Sequence, residues 1–171
     1  MSKPSSRVIC DAGPIIHLEE INCLNLLNDF EEIILPLSVE KEIAAHRPTA
    51  LTNSYLKIKQ HAEDLYIGEK LNALCQIFSL DAGEIESLAL MVEHPTAIFL
   101  TDDAAARLVA EQMKFKVHGT IGILLRSIRR GQRKPEEILQ ILSDIPKKSS
   151  LYIKPSLLGD ILQKVKDEFQ I

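Results

Sequence analysis

Apolar residues in this chain fall into short unbroken runs, separated by longer stretches in which they recur at helical spacing. Two runs carry the most information. The first, Val8-Ile9-Cys10, is closed by Asp11 and followed at once by Ala12-Gly13-Pro14. The second, Ile98-Phe99-Leu100-Thr101, is closed by Asp102-Asp103 and followed by a helical stretch. Each reads as a buried strand, a turn and a helix. Further strands are expected at 32–35, where Pro36 breaks the run, and at 115–118. Residues 55–58 and 65–67 are ambiguous, and either could be a short strand.

Helices are expected between these runs. Pro14 opens a short one to about residue 18, and a second covers 21–30 through Leu24, Leu26, Leu27 and Phe30. Ser38 can cap a helix that runs to His46 with Val39 and Ile43 on one face, and 47–54 reads as a loop. Helical stretches follow at 69–78, 103–114, from Gly119-Thr120 to near 131, and at 135–143. Asp81-Ala82-Gly83-Glu84 has the Asp-x-x-Glu form of a helix start, and its helix should turn Ile85, Leu88, Ala89 and Val92 inward. Residues 146–150 look like a linker to an edge strand at 151–154 and a closing helix at 155–169. Strands that alternate with helices imply an α/β domain with a mostly parallel sheet and right-handed crossovers.

In such a sheet, Asp11 and Asp102-Asp103 would share the C-terminal edge, where open α/β sheets bind ligands. Clustered carboxylates repel one another unless a cation joins them, and hard divalent ions prefer oxygen ligands. The acidic candidates are Asp11, Glu42, Glu84, Glu86, Asp102 and Asp103. Each has a plainer reading. Asp11 can cap the helix that follows, and Glu42 can be a solvated helix residue. Glu84 can be the partner of Asp81 in a capping box. Glu84 and Glu86, two residues apart, point in different directions on a regular helix. Of Asp102 and Asp103, one should cap the next helix while the other faces the site.

The rest of the composition narrows the classes. The 171 residues suit one domain with a sizeable core, read as 1–171 with a core of about 7–145 and a C-terminal appendage of about 146–171. A net charge of −4 means that nucleic acid would have to be held by a local basic patch, a metal or a partner. No apolar run approaches the roughly 20 residues of a membrane span. Residues 1–6 lack the apolar segment of a signal peptide. Cys10, Cys23 and Cys75 lie in apolar patterns without metal-ligand spacing, as buried reduced thiols of a cytoplasmic protein would. The five histidines, at 17, 46, 61, 94 and 118, are scattered and read as loop or helix-surface residues. There is no Gly-rich phosphate loop and no serine nucleophile elbow. Arg126, Arg129 and Arg130 share one helical face, next to Arg133 and Lys134. They form either a solvated helix end or a phosphate-contacting patch.

Taken in order, the acidic motifs resemble those of the PIN-domain family, and most closely its compact VapC-like branch. The first motif appears as Asp11-Ala12-Gly13-Pro14-Ile15-Ile16, and the second as Val39-Glu40-Lys41-Glu42-Ile43. The third appears as Gly83-Glu84-Ile85-Glu86-Ser87-Leu88-Ala89. The fourth appears as Leu100-Thr101-Asp102-Asp103-Ala104-Ala105-Ala106-Arg107, with a later Gly119-Thr120-Ile121-Gly122. One departure stands at position 12, where family members usually carry a small hydroxyl residue near the first aspartate and this chain has Ala12.

The resemblance implies a three-layer α/β sandwich around a central, mostly parallel sheet of about five strands, with a C-terminal strand–helix appendage. It implies a metal-dependent endoribonuclease acting on single-stranded RNA, with Asp11, Glu42, Glu84 and Asp103 as catalytic carboxylates. Mg²⁺ or Mn²⁺ would be held among those four, Glu86 and Asp102; on the phosphate-contacting reading of their shared face, Arg126, Arg129 and Arg130 would contact RNA. It also implies a cognate antitoxin protein and a homodimer. The alternatives are a non-catalytic PIN-like interaction module and, further off, a phospho-acceptor receiver domain. A receiver would need an acidic pair at the first strand, and Asp11 has no acidic neighbour.

Overall fold

A computed structural model describes residues 7–53, 56–61 and 64–171. Five parallel strands form one sheet in the order β3-β2-β1-β4-β5, with β1 Val8–Cys10, β2 Ile33–Pro36, β3 Ile58–His61, β4 Ile98–Leu100 and β5 Lys116–His118. In the centre, Val8 lies beside Ile33 on one flank and Ile98 on the other, while Cys10 lies beside Leu100. β1 and β4 are buried throughout, as expected of central parallel strands covered on both faces.

The two-residue alternation of the strands divides the core. Val8, Cys10, Leu35 and Leu100 face the layer that holds α1 (Ala12–Glu20), α7 (Thr120–Arg129), α8 (Pro135–Lys148) and α9 (Pro155–Phe169). Ile9, Ile34 and Phe99 face the layer of α4 (Glu69–Ile77), α5 (Ala82–Glu93) and α6 (Ala104–Gln112). The result is the expected three-layer α/β sandwich. α2 (Leu37–His46) packs against α5 and carries Val39 and Ile43 into the first core. The three cysteines are buried and unpaired.

Several elements differ from their expectation. The helix expected over 21–30 is a short 3₁₀ turn, Leu24–Asp29, because Asn22 takes a left-handed conformation (φ 55°) that ends α1. Pro36, not Ser38, is the N-cap residue of α2. The loop at 47–54 contains a one-turn helix, α3 (Pro48–Leu51), and its residue 54 lies outside the described residues. Of the two ambiguous stretches, only the end of the first becomes β3; residue 55 lies outside the described residues, and 65–67 form no strand. Val92 is 47% exposed rather than inward, since the buried face of α5 runs through Leu88, Ala89, Leu90 and Met91.

At the C-terminus, α8 continues through Pro146 to Lys148, so the linker expected at 146–150 is mostly helix. Proline at the last turn removes one intrahelical donor, and the Ser149 N–H still reaches Ile145 O at 2.9 Å. Residues 151–154 are not the expected edge strand. Among the described residues they pair with no strand, and they run as a strap into α9, whose Leu158 and Val165 enter the main core.

Candidate active site

The sheet order reverses between β1 and β4, so the chain leaves these neighbouring strands in diverging directions and opens a crevice at their C-terminal ends. A cavity of about 340 Å³ lies there. It is lined by the carboxylates of Asp11, Glu42, Asp81, Glu84, Asp102 and Asp103, together with His17, Gly13 and residues 150–152 of the strap.

Asp11 is only 8% exposed. It caps α1, its Oδ1 accepting the Ala12 N–H at 2.8 Å, so the capping and site readings describe the same residue. Its Oδ2 accepts from the Thr101 hydroxyl at 3.0 Å, and the Asp103 N–H donates to that same hydroxyl at 3.1 Å. A hydroxyl thus reaches the first aspartate from β4 while position 12 is alanine. Burial pushes the Asp11 carboxyl up to about 6, with Asp81 and Glu42 adding repulsion and the two hydrogen bonds opposing it.

Glu84 and Asp81 form the expected capping box at the start of α5. Glu84 Oε2 accepts the Asp81 N–H at 2.9 Å, and Asp81 Oδ1 accepts the Glu84 N–H at 2.9 Å. Burial is the main cause that raises Glu84 to about 7; Asp81, Asp103 and Asp11 push the same way. Glu42, one turn into α2, is raised by partial burial and by Asp81. Asp103 caps α6 by accepting the Ala106 N–H at 2.8 Å while lining the cavity.

Glu86 is not brought to the cavity. Its carboxylate accepts from the Ser38 hydroxyl at 2.6 Å and the Ser38 N–H at 3.1 Å, which fastens α5 to the start of α2 and so fixes where Glu42 stands. Asp102 lines the cavity but is already engaged. It accepts from Thr120 at both the N–H (2.7 Å) and the hydroxyl (2.6 Å), and it pairs with His17 Nδ1 at 2.7 Å. Burial alone would raise Asp102, but these bonds hold it below the usual carboxylate range. Gly119 makes room for this: a Cβ there would stand 2.6 Å from Asp102 Oδ1.

Arg126, Arg129 and Arg130 do not line the cavity. Arg126 and Arg130 both pair with Asp29, Arg126 also stacks 4.8 Å over Phe30, and Arg129 pairs with Glu168. Thr120, at the start of α7, is the end of that helix that meets the site, and Arg126–Arg130 lie roughly 9–15 Å further along its axis. The site residues that escape a sequence reading include His17, Thr101, Asp81 as a lining group, and residues 150–152 of the strap. The one local signal for His17 is Gly13, four residues earlier on the same face of α1.

A family model described as PIN domain matches residues 7–167, so the chain belongs to the PIN-domain family. No curated protein and no solved structure matches it. PIN domains are nucleases in general and typically depend on divalent metals, so membership supports a nuclease-type function on nucleic acid. The donor set suits such a metal: it is all oxygen, and among the described residues Asp11, Glu42, Asp81, Glu84 and Asp103 have no Lys or Arg partner. Among the described residues, however, no three acidic, histidine or cysteine side chains stand close enough to share one ion. The fit is one of chemistry and placement rather than of a closed ligand shell.

Proposed function

We propose that the protein is a metal-dependent endoribonuclease that hydrolyses phosphodiester bonds of single-stranded RNA. The observation that carries this reading is the set of carboxylates, Asp11, Glu42, Asp81, Glu84 and Asp103, that have no Lys or Arg partner among the described residues and surround one cavity at the switch point of the sheet. Asp11, Glu84, Asp103 and Glu42 would hold Mg²⁺ or Mn²⁺. When bound, such an ion lowers the pKa of water and offsets the negative charge that develops on the phosphate and the leaving oxygen.

The chain's own residues prepare the site. Thr101 and the start of α1 hold the Asp11 carboxylate in one orientation. Asp102 joins α1, through His17, to the start of α7, through Thr120, and so fixes the walls on either side. The Ser38–Glu86 contact ties α5, which carries Glu84, to the start of α2, which carries Glu42. The cluster repels RNA until a cation neutralises it, so substrate binding should itself depend on metal. A flexible single strand can bend into the crevice more readily than a duplex.

We extend the reading to a VapC-like toxin with a cognate antitoxin, a homodimer in the cytoplasm, built as a single domain in which α9 completes the core. A second reading, a non-catalytic PIN-like interaction module, draws on the wide spacing of the carboxylates and on Ala12. Calorimetric titration with Mn²⁺ separates the two. Stoichiometric binding that is lost in Asp11→Asn supports the nuclease; absence of binding to the wild type favours the module.

A further inference from the structure

The strap between α8 and α9 contains an aromatic side chain that the fold does not use. Leu151 and Ile153 turn inward and pack on the main core, so the residue between them faces away: Tyr152 is 82% exposed. The strap is pinned. Glu20 accepts from the Ser149 hydroxyl at 2.7 Å and from the Ser150 N–H at 2.7 Å, with the Ser150 hydroxyl a further donor. Tyr152 borders the acidic cavity on one side and a second hollow of about 250 Å³ on the other. That hollow shares Asp102 with the cavity, and Arg107 and Lys154 line it. Arg107 is held by one hydrogen bond to Thr101 O at 3.2 Å, and among the described residues neither cation has a carboxylate partner.

We infer that Tyr152 is a stacking platform for a base of single-stranded RNA, with Arg107 and Lys154 taking phosphates of the strand as it leaves the acidic cavity. Single-strand readers combine an aromatic face with a cationic track, because every base offers a π-face and every linkage a charge. Here the negative cavity repels the backbone in the absence of metal, and the hollow on the other side of Tyr152 carries the basic lining of Arg107 and Lys154. The strand therefore runs from the cavity over the ring to the hollow. This assignment rests on the nuclease reading of the cavity for its direction, not for its contacts.

The test is fluorescence anisotropy of a labelled, hydrolysis-resistant phosphorothioate RNA single strand with the full chain in Mg²⁺. It is repeated with a ribose-phosphate strand that lacks bases. Tyr152→Ala should weaken binding of the base-bearing strand on the order of 10- to 100-fold, as loss of one stacked base does. Tyr152→Phe should bind like the wild type, and the abasic strand should not distinguish the three proteins. Lys154→Ala should lower the slope of log affinity against log salt by about 0.7, one phosphate contact on a single strand. Equal affinity of Tyr152→Ala and wild type overturns the inference, as does an equal loss on the abasic strand, a change of oligomeric state in place of RNA affinity, or no RNA binding by the wild type. A protein that shows the Tyr152 pattern but no cleavage would retain this inference and lose the nuclease reading. Cleavage indifferent to Tyr152 would do the reverse.

Discussion

The Thr101 hydroxyl donates to Asp11 Oδ2 across 3.0 Å, from a residue 90 positions away in the chain. Both side chains end neighbouring parallel strands, so the bond is a direct product of the β1–β4 pairing. It gives the first acidic residue a hydroxyl partner even though Ala12 follows it.

Thr101→Val should therefore weaken the metal site while keeping the fold. The side chain is fully buried and valine matches its shape, but Asp11 and the Asp103 N–H each lose a partner. Mn²⁺ affinity by calorimetry should fall about 10- to 100-fold, as it does when a residue supporting a ligand is removed. Unchanged affinity would mean that Thr101 has no part in orienting Asp11.

The pair Glu84 and Glu86 separates by role. Glu84→Gln should cost at least about tenfold in Mn²⁺ affinity. Glu86→Gln should leave affinity nearly intact and lower stability by about 1 kcal/mol, the worth of a hydrogen bond made with a charged acceptor and here partly retained by the amide. The reverse pattern in calorimetry and urea melts would place Glu86 at the metal.

Stability should depend on pH through the same carboxylates. Asp11 and Glu84 are raised by folding to about 6 and about 7. A carboxyl that is raised in the folded state contributes stability below its unfolded pKa and loses it as pH rises through the folded one. In EDTA, Tm should drop between about pH 4 and pH 7, and Mg²⁺ should remove the drop. Asp102, which folding holds down, acts in the opposite sense and only in the acid range, below about pH 4. His118, lowered mainly by burial, also acts against the drop and makes it shallower. Asp11→Asn should flatten the curve; a Tm that climbs steadily from about pH 4 to pH 7 without metal would contradict the assignment.

Gly119→Ala should be costly although its backbone (φ −119°) is open to any residue. The added carbon would meet Asp102 Oδ1 at 2.6 Å and Thr101 O at 3.1 Å, and neither can retreat without losing the contact to Thr120 or the β4 register. A loss of about 1–3 kcal/mol in urea unfolding is expected from such overpacking. A neutral substitution would show that the Asp102–Thr120 contact is more pliant than its distances suggest.

Much of this was legible in the chain because the informative residues sit at element boundaries. Asp11, Asp81 with Glu84, and Asp103 all cap helices, and caps leave local spacing signals. Contacts across the sheet leave none. His17 looked like a surface residue because its partner, Asp102, lies 85 positions away. Glu86 looked like a ligand because Ser38, its actual partner, is 48 positions distant. Arg126 and Arg130 were rightly placed on one face, but nothing local shows that Asp29 faces them or that the site meets the other end of α7. The alternation of apolar and polar residues at 151–154 suggested a strand, yet an extended segment becomes one only beside an unpaired edge, and here it crosses the mouth of the cavity.

The most direct test is cleavage of end-labelled single-stranded RNA by the purified protein in Mn²⁺, Mg²⁺ and EDTA, beside Asp11→Asn prepared in the same way. The account predicts internal cleavage with either metal, none in EDTA, and a fall of at least about 10²-fold in Asp11→Asn, the scale on which loss of a preorganised charge-stabilising group is felt. Cleavage that persists in EDTA, or that is equal in the two proteins, would contradict it.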